Sequence, residues 1–318
     1  QFSEKVQFIT EVEFEPVKEV YIEQAFLQYK LNNLINFRGG LLLIPMGVIN
    51  EYHEPTAFHG VERPFIDNRI APTTWREIGF GLTGTVLPAA LKYQAYVVNG
   101  FNGYDGDANL TGSKGFRSGR QKGAESYISS PNFTGKIEYF GIRGLNIGLS
   151  GYAGKTQSTL YNGLPKDQKP LVSRADSSVV GISMLGADAR YTYGGLQLRG
   201  QLYYAGISNS QEYNEFASSN LGSVMSGYYI EGGYDVLRNR NATETSLIPF
   251  LRYSKYNTHS SVSGDIEPNP AFENQVITTG LTLRLTKGAV VKTDLQFIKS
   301  AAADEFSKVF NAGVGIMF

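Results

Sequence analysis

The chain has 318 residues, among them 36 Gly, 20 Tyr and 19 Phe, and it contains no Cys. Its 29 Lys and Arg residues balance its 29 Asp and Glu residues, which removes the main electrostatic reason to expect a nucleic-acid partner. The lack of Cys excludes structural disulfides and zinc sites with cysteine ligands.

The hydropathy of the chain excludes a membrane-spanning helix but not a membrane-spanning strand. The mean hydropathy is -0.21. The longest apolar stretch, at residues 41–49, is about half of the roughly 18 residues that a transmembrane helix needs. A strand of a membrane barrel shows lipid only every second residue, so low hydropathy is compatible with a β-barrel.

Apolar and polar residues alternate along most of the chain, and this pattern predicts about fourteen β-strands. The first and clearest case runs from Val6 to Glu15, whereas residues 20–30 are ambiguous. The same period of two recurs at residues 37–43, 91–97, 133–139, 196–204, 277–284 and 291–297.

Short and long connections alternate between these strands. The short ones lie at residues 32–35, 87–90, 141–144, 194–195 and 286–289. The long ones lie at residues 46–76, 100–131, 154–178, 206–224 and 257–273. This arrangement is typical of outer-membrane barrels, with turns facing the periplasm and loops facing outside. We therefore predict an all-β fold, a single transmembrane antiparallel β-barrel over residues 1–318, with the loop at 46–76 folded inward. A soluble two-sheet protein is the alternative.

The last predicted strand ends on an aromatic residue. Phe310, Ala312, Val314, Ile316 and Phe318 share one face. Outer-membrane barrels characteristically finish this way, and we predict that Phe318 is the signal for barrel assembly in a Gram-negative outer membrane. The alternative is an ordinary last strand of a soluble protein.

Several segments of the first third carry a family resemblance. They are EVEFE at 11–15, IEQAFLQYK at 22–30, the run from Pro45 to Glu51, VERP at 61–64, TTWRE at 73–77 and YQAYVVNG at 93–100. On these motifs the chain resembles the phosphate-selective porin O/P-type family, particularly its Bacteroidetes-like members. The resemblance implies sixteen strands in the complete protein, so that this chain would lack N-terminal strands, and it also implies homotrimers and passive diffusion of small solutes.

The predicted inward loop at 46–76 carries the residues that we expect to set pore size and charge selectivity. They are the cations Arg63, Arg69 and Arg76 and the acids Glu62 and Asp67. Opposed charges across a constriction would create a transverse field. The alternative is that these ions pair with one another and hold the loop in place.

One further set of cations is a candidate for contact with anions, and a second set is predicted to face the lumen. Residues 114–122 hold Lys114, Arg117, Arg120 and Lys122 and no acid, and they could line the pore or face outer-leaflet lipopolysaccharide. The strand pattern predicts that six other cations face the lumen: Arg38, Lys92, Lys136, Arg199, Arg252 and Arg284. Acids at comparable strand positions offset these cations, which departs from the concentrated positive charge expected for phosphate selectivity.

Enzymatic and metal-binding functions have little support in the sequence. The three histidines, His53, His59 and His259, do not show the spacing of a zinc signature. We predict no enzyme activity, no cofactor and no metal site. The expected partners are outer-membrane lipid and lipopolysaccharide, small hydrophilic solutes or anions such as phosphate, and further copies of the chain. The alternative function is a plugged or accessory barrel that serves a larger envelope assembly.

Overall fold

The computed structural model describes residues 2–15, 19–123, 126–165, 167–239 and 244–317. The first eight strands are β1 (Val6–Glu15), β2 (Glu19–Lys30), β3 (Asn36–Leu43), β4 (Arg76–Val86), β5 (Leu91–Val98), β6 (Asn102–Tyr104), β7 (Asn132–Ile142) and β8 (Leu145–Lys155). The others are β9 (Gln157–Ser158), β10 (Gly181–Tyr193), β11 (Leu196–Ser208), β12 (Val224–Tyr234), β13 (Ser246–Ser261), β14 (Glu273–Thr286), β15 (Ala289–Ser300) and β16 (Ser307–Ile316). The α-helices are α1 (Ile66–Arg69), α2 (Lys169–Ser177) and α3 (Ser210–Ala217), and 3₁₀ turns occupy Leu87–Ala89, Arg117–Gly119, Thr159–Tyr161 and Pro270–Phe272.

Fourteen of the strands form one antiparallel sheet in which each pairs with the next along the chain. Among the strands of the described residues, β6 and β9 stand apart as a small parallel pair within the long connections. The predicted all-β antiparallel fold with about fourteen strands is thus confirmed, and the ambiguous stretch at 20–30 is strand β2.

The hairpin between β10 and β11 shows how local sequence fixes the register. Tyr193 pairs with Leu196, and Gly194 and Gly195 between them have φ values of 54° and 88°. A two-residue turn with positive φ at both positions matches the twist of an antiparallel pair, and glycine adopts it without strain. Three strands extend past the predicted start of a long loop, because β8 continues to Lys155, β11 to Ser208 and β13 to Ser261.

The sheet curls around the segment that connects β3 and β4. Near the start of the chain, His53 Nε2 of this segment lies 3.8 Å from Glu11 Oε1 of β1. Near the end, Asp294 Oδ2 of β15 accepts a hydrogen bond of 2.6 Å from the backbone N–H of Val61. Since strands from both ends of the sheet contact one short segment, the sheet encloses it as a barrel wall encloses its contents.

The two faces of the strands show the inverted burial of a membrane barrel. Large apolar side chains on the outer face are exposed, such as Leu149 at 64%, Leu185 at 67% and Ile230 at 62%. Polar side chains of the opposite parity are buried, such as Asp188 and Gln201. An apolar outer surface and a polar interior are what a barrel in lipid requires. In the described part of the chain, no helix is both long enough and apolar enough to cross a membrane.

The interior is partly filled by an apolar cluster built from the long connections and the strand ends near them. Trp75, Phe101, Phe116 and Tyr213 have no measurable exposure, and they pack with strand residues such as Tyr203. The barrel is therefore not an open cylinder along its whole length. Phe318, the predicted assembly signal, lies outside the described residues.

A charge on the outer face tests this membrane orientation. Leu185→Arg, at an exposed position within β10, should lower the free energy of unfolding by about 2–4 kcal/mol, because the guanidinium would face hydrocarbon. The matched change Leu196→Arg, at the turn end of β11, should cost only about 0–1 kcal/mol, because interfacial positions tolerate charge. Equilibrium unfolding in lipid vesicles measures both, and equal losses would contradict the orientation.

Candidate solute pathway and constriction loop

The segment at 46–76, which we call the constriction loop, is closed at its base by one asparagine. Ile44 and Trp75, at the two ends, are joined by a backbone hydrogen bond of 3.0 Å. Asn50 Nδ2 donates to the carbonyl oxygens of both residues at 2.8 Å, and its Oδ1 accepts from Trp75 N at 2.7 Å. A buried amide that is satisfied on both sides fixes the point where the chain enters and leaves the interior.

Trp75 anchors the loop in the apolar cluster. Its ring centroid lies 4.2 Å from that of Phe101 and 4.8 Å from that of Tyr152. The indole N–H donates to Glu77 Oε1 at 2.9 Å, so the ring is buried without leaving its polar atom unpaired. The anchoring residue therefore comes from the loop, and its partners come from a second loop and from β8.

The cations that we predicted to line the lumen mostly hold the loop. Lys136 Nζ donates to the Gly47 carbonyl at 2.6 Å, and Arg199 donates to the Ala57 carbonyl at 3.0 Å. Two further contacts do the same: Arg252 to His59 O at 2.6 Å and Arg284 to Thr56 O at 3.1 Å. Irregular backbone inside the barrel has carbonyls that need donors, and long cationic side chains from the wall supply them.

Burial corrects the predicted role of two of these residues. Lys136 is 4% exposed and Arg252 is 1% exposed, so neither can meet a passing solute in this conformation. Their strand parity does direct them inward. The sequence predicted only that these side chains face the lumen, because the alternation of a strand identifies its inner face but does not show that a loop covers that face.

Asp67 in α1 is likewise not an exposed constriction acid. It is 1% exposed, and its Oδ1 accepts hydrogen bonds from Gln201 Nε2 at 2.5 Å and from the Tyr203 hydroxyl at 3.1 Å. Desolvation raises the pKa of the Asp67 carboxyl to about 7. Asp67 therefore attaches the loop to β11. Gln201 adds a second contact, since its Oε1 accepts a hydrogen bond from Val48 N at 2.7 Å.

Arg76 also departs from its predicted place in the constriction. It is 4% exposed and forms an ion pair of 2.7 Å with Glu23 of β2. Glu23 occupies a β-bulge, where Glu11 pairs with Gln24 and Val12 with Ile22. A bulge re-aims one side chain relative to simple alternation. The bulge arises from the pairing of β2 with β1. The direction of the Glu23 side chain could therefore not be predicted from the alternation within β2 alone.

The two predicted groups of cations are brought together near the outer side of the loop. Arg117 and Arg120 both donate to the Thr73 carbonyl, at 3.0 and 2.7 Å. Burial lowers the pKa of Arg117, and the positive charges of Arg63 and Arg69 lower it further. Burial is also the main reason that the pKa of Arg120 falls to about 10. The connection that contains residues 114–122 thus lies against the constriction loop, while Lys114 and Lys122 are exposed.

An open region remains on the side of the loop that faces β2–β5. A cavity of about 310 Å³ lies there, lined by polar side chains that include Gln24, Arg38, Glu51, Lys92 and Gln94. Arg38 Nε donates to Gln28 Oε1 at 2.8 Å, and Glu51 lies 2.8 Å from Lys136 Nζ. The lining combines amides with charges of both signs, so it suits hydrated solutes without a strong fixed field.

The histidines and acids do not assemble a metal site in the part of the chain that the structure describes. His53 lies near Glu11, His59 is buried within the constriction loop, and His259 Nε2 lies 2.6 Å from the Asn220 carbonyl oxygen. The three imidazoles therefore have three separate environments.

Removing the amide that closes the loop base should loosen the loop. Asn50→Ala removes buried hydrogen bonds, and we expect a loss of about 1–3 kcal/mol in stability together with noisier single-channel current. Thermal unfolding and bilayer recording measure the two effects. Asn162→Ala, at an exposed loop position, is the matched control and should change neither. Identical behaviour of both variants would show that Asn50 does not hold the loop.

The buried carboxyl in α1 should make stability fall with pH. The pKa of Asp67 is raised on folding, so its favourable contribution is complete below about pH 4 and is lost as the pH rises towards 7. Asp67→Asn should therefore raise the unfolding temperature at pH 8 and leave it nearly unchanged at pH 4. The gain is at most about 4 kcal/mol, the equivalent of the full shift. A gain that is the same at both pH values would contradict the assignment.

The comparisons with known proteins place this geometry in a structural class. No family profile matches the chain. An uncharacterised protein of Aquifex aeolicus is 29% identical over all of this chain and 72% of its own length. The anion-selective porin from Comamonas acidovorans has a TM-score of 0.53 at 14% identity, covering 91% of this chain and 72% of that one.

Two other outer-membrane structures are similar over almost the whole chain. Salmonella typhi OmpF, solved with daunomycin, has a TM-score of 0.57 at 13% identity and covers 99% of this chain and 86% of its own. The trimer form of Vibrio cholerae OmpT has a TM-score of 0.55 at 12% identity, with coverages of 99% and 86%. The chain therefore has the fold of outer-membrane porins, and this fold, together with its apolar outer face, places it in an outer membrane.

Proposed function

We propose that this protein is a porin that forms a water-filled channel for passive diffusion of small hydrophilic solutes. The observation that supports this most directly is the cavity of about 310 Å³ between the constriction loop and β2–β5, with its polar lining. The loop is held at many points by the opposite wall, so it narrows the interior while leaving this side open. Catalysis forms no part of the proposal.

The charge distribution supports at most a modest preference for anions. Arg63, Arg69 and Arg117 lie within electrostatic range of one another, with Glu62 as the neighbouring acid. Arg38 and Lys92 line the open cavity together with Glu51. Phosphate selectivity, and membership of the O/P-type family, remain our proposal from the sequence resemblance. Phosphate selectivity would be favoured by many cations exposed along the path. Fewer are available here, because several wall cations are bonded to the loop.

The proposed setting is the outer membrane of a Gram-negative bacterium, with lipid around the apolar face and lipopolysaccharide near the long loops. A homotrimer is the proposed assembly. Its support is the similarity to an outer-membrane protein of Vibrio cholerae solved in trimer form.

A plugged barrel that serves a larger assembly is the second candidate. The observation in its favour is the apolar cluster inside the barrel, where Trp75, Phe101 and Phe116 pack without exposure. Such packing resembles a domain core more than an aqueous channel. The two candidates differ in whether ions pass through the region between the loop and β2–β5.

Planar-bilayer recording of the purified, heat-modifiable protein separates the two candidates. Stable open steps that scale with salt concentration are expected for a porin. Correctly folded protein that passes no current would contradict the proposal and support the plugged barrel. Phosphate added to one side then tests the finer specificity, since a phosphate site in the path should block chloride current.

Charge reversal tests the contribution of the loop arginines. The double change Arg63→Glu and Arg69→Glu should shift the chloride to potassium permeability ratio several-fold towards potassium, because it replaces positive with negative charge on the loop that bounds the path. The control is Lys169→Glu with Arg174→Glu, two exposed positions on α2, and it should leave the ratio within experimental error. An unchanged ratio in the loop variant would remove these arginines from the path.

A further inference from the structure

A second polar cavity lies beneath the constriction loop, on the side away from β2–β5. Its volume is about 310 Å³, and its polar lining includes His59, Asn146, Arg190, Gln197, Arg199 and Glu231. All of these except His59 come from strands β8, β10, β11 and β12. Asn146 and Gln197 lie beside the short turns at 143–144 and 194–195, so the cavity is at the periplasmic end of the barrel.

Two guanidiniums lining this cavity keep donors that the described residues do not use. Arg190 Nη2 bonds to Glu138 at 2.9 Å, but its buried Nε finds no hydrogen-bond partner there. Arg199 Nη2 bonds to the Ala57 carbonyl, but its buried Nη1 likewise finds none. Both atoms have almost no accessible surface, so an acceptor in the cavity reaches them only when the guanidiniums shift. Buried donors without acceptors are costly, so a shift that pairs them with an acceptor would be favoured.

His59 contributes a third donor from the loop above. Its side chain is 2% exposed, and neither ring nitrogen has a hydrogen-bond partner among the described residues. Burial lowers the pKa of His59 to about 4. Glu231 raises this pKa, whereas the nearby arginines lower it. The imidazole is therefore neutral at pH 7 and offers one N–H, while its ring lies 5.6 Å from the Phe250 ring.

The charge around His59 is positive but moderate, and the neighbouring Arg190 is paired with Glu138. Three guanidiniums, Arg199, Arg252 and Arg284, act on His59 together with a single carboxylate, Glu231. Glu231 lies 2.6 Å from Arg252 and 3.3 Å from Arg199, so much of its charge is compensated. Its Oε1 has no hydrogen-bond partner in the described chain, and the residue lines the cavity, which disfavours a ligand with two negative charges.

We infer that this cavity binds a small organic monocarboxylate, with its oxygens on the free donors of Arg190, Arg199 and His59. A carboxylate offers about four acceptor positions, which suits three donors, and its single charge fits beside Glu231. The inference deepens the proposed porin function by naming a solute class, and as a role in transport it rests on that function.

The binding site can be tested without disturbing the contacts that hold the loop. Gln197→Glu places a negative charge in the lining and changes none of the guanidinium contacts described above. Titration calorimetry of the full chain in detergent, with acetate and separately with inorganic phosphate at pH 7.5, measures affinity. The matched control is Gln7→Glu, an inward amide on β1 at the other side of the barrel.

We expect saturable acetate binding that weakens at least tenfold in Gln197→Glu and stays unchanged in Gln7→Glu. Phosphate should bind more weakly than acetate, because its second charge meets Glu231. No saturable binding of acetate, equal affinity of the Gln197→Glu variant, or tighter binding of phosphate would each overturn the inference.

Bilayer recording of the same preparations keeps this inference separate from the proposed function. Protein that binds acetate but passes no current contradicts the porin and leaves the site intact. Protein that passes current but does not bind acetate contradicts the site and leaves the porin intact.

Discussion

The structure depends on one requirement, which is that backbone folded into a barrel must find hydrogen-bond partners away from bulk water. The constriction loop meets it with donors from the wall, as the contacts of Lys136 and Arg252 to loop carbonyls show. Asn50 and Asp67 satisfy the base and the middle of the same loop. Because these contacts come from strands spread around the sheet, the loop and the curvature of the wall stabilise each other.

This use of cations changes how the charge of the interior should be interpreted. A guanidinium that is bonded to a carbonyl still contributes its field, but it cannot leave that position to coordinate a solute. In the proposed channel, selectivity would depend on cations that keep unused donors or exposure. Examples are Arg199, whose Nη1 has no hydrogen-bond partner among the described residues, and Lys92 at the edge of the open cavity. The charged residues of the chain thus fall into two groups, those that hold the structure and those that face solute. The net charge of the chain does not distinguish the two groups.

The same contacts divide the interior into regions with different properties. On the outer side, Trp75 and Phe101 form a packed apolar cluster that resists water. Towards β2–β5 a polar cavity remains, and beneath the loop lies the cavity at His59. Conduction requires the first cavity to connect the two sides of the membrane, whereas binding beneath the loop requires only access from the periplasmic end. The two properties can therefore be measured independently.

The sequence by itself determined the strand pattern, because alternation with a period of two is a local property. Lipid around the barrel also requires that the outward residues of each strand be apolar. The sequence also determined turns such as Gly194–Gly195, whose backbone conformation glycine favours. Only the tertiary structure decided which inward cations bind the loop, since Arg252 donates to loop carbonyls whereas Arg38 donates to Gln28 and Tyr96 of the wall. The bulge that turns Glu23 towards Arg76 and the burial of Asp67 against Gln201 depend on residues distant in the chain, and no local pattern encodes such pairings.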